Sequence, residues 1–95
     1  MSLFTIVLDF KGGTYISQVI DDNVNSALQK WALNLDVKAI KNIGEKIKDL
    51  IIQNIINNTE AALPIVLDGC INVWCTSMLV RGHLILVHII NTVQD

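Results

Sequence analysis

Four side chains of the types that bind zinc lie close together in the C-terminal third of the chain. Cys70, Cys75, His83 and His88 form the string C-x4-C-x7-H-x4-H, and thiolates with imidazoles are common zinc ligands. Each like pair is separated by five residues, so in extended strands its two members point to opposite faces of a sheet. The sequence therefore favours buried cysteines and half-buried histidines over a metal site, and it predicts no cofactor.

Cys75 and His88 allow a second chemical interpretation, a thiol–imidazole dyad. Nucleophilic catalysis by such a pair needs an accessible thiolate, an oxyanion site and a third group that orients the imidazole. The surrounding residues are mostly apolar, and the pattern supplies no third polar group. A small-ligand cavity formed by Trp31, Trp74, Cys75 and His88, or a thiol-dependent enzyme, is the alternative to a non-catalytic role.

The composition limits the class of protein. The chain has 95 residues, of which 52% are hydrophobic and 17% charged, which excludes a disordered chain and predicts a single domain. A domain of this size buries roughly 60–70% of the surface of its unfolded chain. The hydrophobic content is more than one small core hides, so we expect self-association, most simply as a homodimer.

The charge pattern argues against nucleic-acid and membrane partners. Nine acidic and seven basic residues give a net charge of −2, without the positive excess typical of proteins that bind phosphate backbones. The N-terminus lacks the positive charge of a signal peptide, and the apolar run at residues 84–90 is too short to span a bilayer, which takes about 20 residues. We predict a cytoplasmic protein, since strand geometry also disfavours a disulfide between the two cysteines.

The first half of the chain predicts a hairpin and two helices. Residues 3–10 and 14–20 are rich in strand-forming residues, and Gly12-Gly13 between them suits a two-residue turn, with Phe10 opposite Tyr15. Asp21, Asp22 and Asn23 are N-cap candidates for a first helix that runs to about residue 35. Helical spacing of apolar residues predicts a second helix over about residues 37–57, where Gly44 indicates a close backbone approach.

The C-terminal third predicts two long strands, residues 70–80 and 83–91, around an Arg81-Gly82 turn. A short strand at residues 65–67 competes with an ordered loop there. The predicted fold is α+β, an antiparallel sheet of four or five strands in the order ββααβββ, with both helices packed on one face.

Both faces of the last two strands are apolar, and two helices cover only one face. Ile52 and Ile56 also lie outside the apolar stripe of the second helix. The second face therefore needs a partner. We predict an interface between copies of the chain that is formed by Ile52, Ile56, Ile85, Val87 and Ile89.

The segment that contains Gly-Gly-Thr-Tyr and Val24-x-x-Ala27-Leu28 resembles small HicB-like antitoxin domains. The resemblance covers less than a third of the chain, and the proline-rich segment of that family is absent between Ile20 and Val24. Small size and mild acidity make a regulatory partner protein of antitoxin or immunity type a further alternative. The function favoured by the sequence is a non-catalytic, homo-oligomeric binding or assembly module.

Overall fold

The structure, a computed structural model, describes residues 2–38, 40, 43–57, 65–66 and 69–93. Strands and helices follow one another in the predicted order, although one predicted strand is only two residues long. The elements are β1 (Ser2–Phe10), β2 (Gly13–Asp21), α1 (Val24–Leu33), α2 (Glu45–Asn57), β3 (Ile65–Val66), β4 (Val73–Val80) and β5 (His83–Val93).

The strands form one antiparallel sheet in the order β2-β1-β5-β4-β3. The C-terminal strand β5 therefore lies in the centre, between β1 and β4. The predicted α+β class is confirmed. The two-residue β3 pairs with Cys75 and Trp74 of β4. Of the predicted segment at residues 65–67, the described part is therefore a strand and not a loop. Residue 67, the last of the predicted segment, lies outside the described residues.

The hairpin between β1 and β2 turns one residue earlier than predicted. Lys11 and Gly12 occupy the turn with φ values of 47° and 77°, and Phe10 pairs with Gly13 rather than with Tyr15. Gly13 lies in the strand, where a Cβ would be only 2.6 Å from the Tyr15 hydroxyl oxygen. The register differs from the predicted one by two residues, which leaves every side chain on its predicted face.

The hairpin between β4 and β5 has the predicted turn and register. Arg81 and Gly82 adopt φ values of 52° and 76°, the two positive values that a type I′ turn requires. Cys75 pairs with His88, and Leu79 pairs with Leu84. The odd-numbered residues of β4 and the even-numbered residues of β5 therefore share one face of the sheet.

The first helix begins at the predicted N-cap. The Asn23 side chain accepts a hydrogen bond of 2.9 Å from the backbone N–H of Ser26, which satisfies one of the unpaired donors at the helix start. Ala27, Leu28 and Trp31 of α1 are buried against the sheet. The cap therefore fixes where the helix starts above β2.

We expect Asn23→Ala to lower the free energy of unfolding by about 1 kcal/mol, because the Ser26 N–H loses its acceptor. Urea denaturation followed by circular dichroism measures the change. Asn25→Ala is the matched control, since Asn25 is exposed within the same helical turn and makes no cap. Equal losses in both variants would contradict the capping role of Asn23.

The second helix begins later than predicted, at Glu45 rather than near residue 37. Gly44 precedes it, and its carbonyl accepts a hydrogen bond of 3.0 Å from the Lys48 N–H, as an N-cap residue does. The prediction of a close backbone approach at Gly44 is wrong for the part of the chain that the structure describes, where only its chain neighbours come within 4 Å of the position of its missing Cβ. Gly44 marks the boundary of the helix instead.

Both helices pack on the same face of the sheet. α1 contacts β1, β2 and β5, and α2 contacts α1 and β4. The sheet residues beneath them alternate along each strand and are almost fully buried: Phe4, Ile6, Leu8, Phe10, Met78, Val80, Ile85, Val87 and Ile89. We call this the helix face.

Candidate functional site

The four candidate zinc ligands do not come together. Cys70 is exposed just before β4, and His83 lies on the helix face with its ring 6.1 Å from the Phe10 ring. Cys75 and His88 lie on the opposite face of the sheet. No group of three or more histidine, cysteine or carboxylate side chains that could hold a metal ion occurs among the described residues.

Cys75 and His88 are cross-strand neighbours, as the predicted register requires. The Cys75 thiol has one weak contact, 3.9 Å to the backbone oxygen of Thr76. Val7 pairs with His88 on its other side, and Ile65 pairs with Cys75. In the described part of the chain, no side-chain hydrogen bond orients the His88 imidazole. The pair thus lacks the third group that nucleophilic catalysis needs.

The predicted cavity between the two tryptophans and this pair is divided by the sheet. Trp31 is 4% exposed in the core beneath α1, and Trp74 lies on the helix face with its ring 6.3 Å from Phe4. Cys75 and His88 point away from both tryptophans, because successive strand residues point to opposite faces. The four residues do not line one site.

The face that the helices leave uncovered carries a mixture of apolar and small polar side chains. We call it the outer face. Its residues are Leu3, Thr5, Val7, Asp9, Thr14, Ile16, Gln18, Ile20, Ile65, Val73, Cys75, Ser77, Leu79, Leu84, Leu86, His88, Ile90 and Thr92. Several of its large apolar side chains are more than half exposed: Ile16, Ile20, Ile65, Leu79 and Leu84.

The β5 part of the predicted interface requires correction. Ile85, Val87 and Ile89 have no exposed surface in the single chain, because they lie on the helix face beneath α1 and α2. Apart from His83 at the start of β5, the exposed side chains of this strand are on the alternate positions, which include Leu84 and belong to the outer face. Of the two α2 residues, Ile52 is half-buried against the core and Ile56 is 37% exposed.

Polar groups of the outer face are hydrogen-bonded to one another. The Thr14 hydroxyl donates to the Asp9 carboxylate at 2.6 Å, and the Gln18 amide donates to the Thr5 hydroxyl at 3.2 Å. Thr5 also shares a hydrogen bond with Thr92 across the β1–β5 pair. These side chains therefore lose less on removal from water than unpaired polar groups would.

A cleft of about 450 Å³ lies beside β2, which is an edge strand. It is lined by six consecutive residues of β2, by Leu8, and by Trp31, Asn34, Leu35, Asp36 and Ile40 at and beyond the end of α1. The sequence pattern does not predict this cleft. Polar Ser17 and Gln18, between Ile16 and Val19, are the local signal of an open edge.

Comparison of the sequence with protein-family models, with curated proteins and with solved structures finds no significant match. Across the described residues, neither helix has the length and apolar character needed to cross a membrane.

Proposed function

We propose that this protein is a non-catalytic assembly module that self-associates through its outer face. The observation that carries the proposal is the exposure of large apolar side chains on a sheet face without helices, with Leu79 at 70% and Ile16 at 67%. Several large apolar side chains exposed on one face are typical of a surface that contacts another protein. The free cysteines support a reducing compartment, and we propose a cytoplasmic location.

A second copy of the chain is the partner that the chemistry of this face favours. Asp9 is its sole acidic residue and no lysine or arginine belongs to it, so it offers little complementarity to a charged partner. A two-fold axis would set the face against itself, apolar residues on apolar residues. The two sheets would then pack roughly 10 Å apart, as in a sandwich.

The area of the outer face is sufficient for a stable dimer. The five strands contain 39 residues, which at a rise of about 3.3 Å per residue and a spacing of about 4.8 Å between strands give a face of roughly 600 Å². Two such faces bury about 1,200 Å² in total, which reaches the lower bound of specific interfaces. The hydrogen bonds already formed within the face reduce the cost of covering it.

The thiols test the proposal without altering the fold. Cys75 lies on the outer face, whereas Cys70 is exposed outside it. We expect the labelling rate of Cys75 to fall by about tenfold as protein concentration rises through the dimer midpoint, because only the monomer exposes it. The rate for Cys70 should stay constant. Mass spectrometry of the labelled peptides reports both rates, and native mass spectra report the oligomer.

Charged substitutions on the outer face and on α2 show which of the two surfaces forms the contact between copies. Leu79→Lys with Leu84→Lys places two charges on exposed outer-face positions and should yield a folded monomer. Ile71→Lys is the matched control, because Ile71 is 86% exposed and lies in the loop before β4. Loss of the dimer with Ile52→Glu and Ile56→Glu alone would assign the contact to α2 and overturn the outer-face proposal, as would a monomer at every concentration.

A Cys75 thiol that reacts faster than Cys70 at every protein concentration would contradict the non-catalytic assignment. It would favour the thiol-dependent alternative, because rapid labelling at neutral pH marks an activated thiolate.

A further inference from the structure

The backbone groups along the free edge of β2 have an identifiable orientation. The Lys30 ammonium donates a hydrogen bond of 3.1 Å to the Ile20 carbonyl, so this carbonyl points away from β1. Antiparallel ladders alternate residues bonded to the partner with residues directed outward. Thr14, Ile16 and Gln18 therefore also direct their N–H and C=O groups outward, and Lys30 covers only the last position of the row.

Over residues 14–18, the edge of β2 lacks the features that usually block strand addition. The strand is nine residues long, contains no proline or lysine and pairs with β1 without a bulge. Natural proteins protect exposed edges with such features or with a covering segment. No strand pairs with the outward side of β2 in the described part of the chain.

The cleft follows this edge. Residues 14–19 all line it, and consecutive strand residues share a lining only where the cavity straddles the edge, because their side chains alternate between faces. Trp31, Leu35 and Ile40 form an apolar wall on the helix side, with Asp36 beside them. The cleft is thus bounded by the β2 backbone on one side and by apolar side chains on the helix side.

We propose that β2 binds an extended peptide segment of another protein by strand addition. Its backbone pairs with Thr14, Ile16 and Gln18, and apolar side chains at alternate positions enter the cleft beside Trp31 and Leu35. Side chains at alternate positions enter the same side of the sheet, so the segment has apolar residues two apart. The cleft of about 450 Å³ follows the edge over six residues, a shape that fits a single extended segment.

Phage-displayed random linear heptapeptides are the first probe. We expect the selected sequences to share apolar residues at alternate positions and to lack acidic residues beside them, given Asp36 in the lining. A selected peptide, synthesised with a fluorescent label, then gives affinities by anisotropy. Failure to enrich any sequence, or enrichment without alternation, would overturn the proposal.

Two substitutions in β2, each with a control, separate the contribution of backbone hydrogen bonds to peptide binding from the contribution of the cleft. Ile16→Pro removes an outward N–H, which an edge strand tolerates because that group faces solvent, and Ile16→Thr keeps it. Ser17→Trp fills the cleft from the helix face, and Ser17→Val leaves it open. We expect Ile16→Pro and Ser17→Trp each to weaken peptide binding by about tenfold or more, the equivalent of 1.4 kcal/mol, with the controls near wild type.

Three further measurements distinguish the possible outcomes. Circular dichroism checks that each variant folds, and a Trp74→Phe chain isolates the Trp31 emission, which a peptide in the cleft should shift. Peptide binding should persist in the Leu79→Lys, Leu84→Lys chain, so failure of the outer-face dimer does not remove it. Unchanged peptide affinity in Ile16→Pro and Ser17→Trp would overturn the proposal. Loss of self-association in Ile16→Pro but not in Ile16→Thr would also overturn it, because the edge would then pair with a second copy.

Discussion

Replacing Ile89 by lysine is expected to prevent folding, whereas the same replacement at Ile90 should leave a folded chain. Ile89 has no exposed surface and lies under the helices. A lysine there loses the apolar contacts of isoleucine and places an unpaired charge in the core, which costs several kcal/mol. Domains of this size have about 5–15 kcal/mol of stability in total, so the folded state is not expected to survive.

Ile90 is the internal control because it follows Ile89 directly on the same strand and points to the other face of the sheet. It is half-buried, between Thr5 of β1 and Val73 of β4. A lysine at this position can extend its ammonium group into solvent. Circular dichroism and the dispersion of amide NMR signals measure folding in both variants. A folded Ile89→Lys with an unfolded Ile90→Lys would contradict the assignment of faces, since a one-residue slip in register exchanges them.

The β4–β5 hairpin was predictable because its determinants are local. Arg81-Gly82 is the turn, and a two-residue turn sets Val80 opposite His83, so the register of the two strands follows directly. The β1–β2 hairpin offered two glycines and hence two possible turns. The structure forms the turn from Lys11 and Gly12, which places Thr14 opposite Asp9, and the two side chains are hydrogen-bonded. The positions of the glycines alone do not reveal this cross-strand contact.

The position of β5 between β1 and β4 was not predictable from local pattern. Strand order depends on pairing between residues far apart in sequence, such as Ile6 with Ile89, and neither strand carries a turn signal for the other. The late start of α2 has a similar cause. Apolar spacing continues upstream through Ile43, which is buried against the core without being helical, so periodicity before Gly44 reflects burial rather than helix.

Only part of the site could be predicted, because the contacts that complete it also join residues far apart in the sequence. Alternation assigned Cys75 and His88 to one face and Ile85, Val87 and Ile89 to the other, and the structure has that division. Both faces are apolar, so the sequence did not reveal which one the helices cover. The cleft beside β2 depends on where the segment after α1 lies relative to an edge strand, which no short-range pattern encodes.

Ile51→Ala is expected to lower the free energy of unfolding by about 2–5 kcal/mol, whereas Ile52→Ala should cost about 1 kcal/mol. Ile51 is fully buried between α2 and the rest of the core, and Ile52 is half-buried beside it. Both changes remove the same atoms and both raise helix propensity equally, so the difference isolates burial. The loss at Ile51 should lower the melting temperature by roughly 10–30 °C, by the scaling for small domains.

The dependence of these losses on protein concentration decides what covers the exposed side of α2. If Ile52 contacts only its own chain, its small loss is the same in dilute and concentrated samples, because unfolding of a monomer is independent of concentration. A loss at Ile52 that grows with concentration would mean that a second copy buries it, and Ile56, which is 37% exposed one turn later, should then behave in the same way. Thermal melts at two concentrations more than tenfold apart separate the two cases. The outer-face dimer requires concentration-independent losses at both α2 residues, together with a concentration-dependent loss in Leu84→Ala on β5.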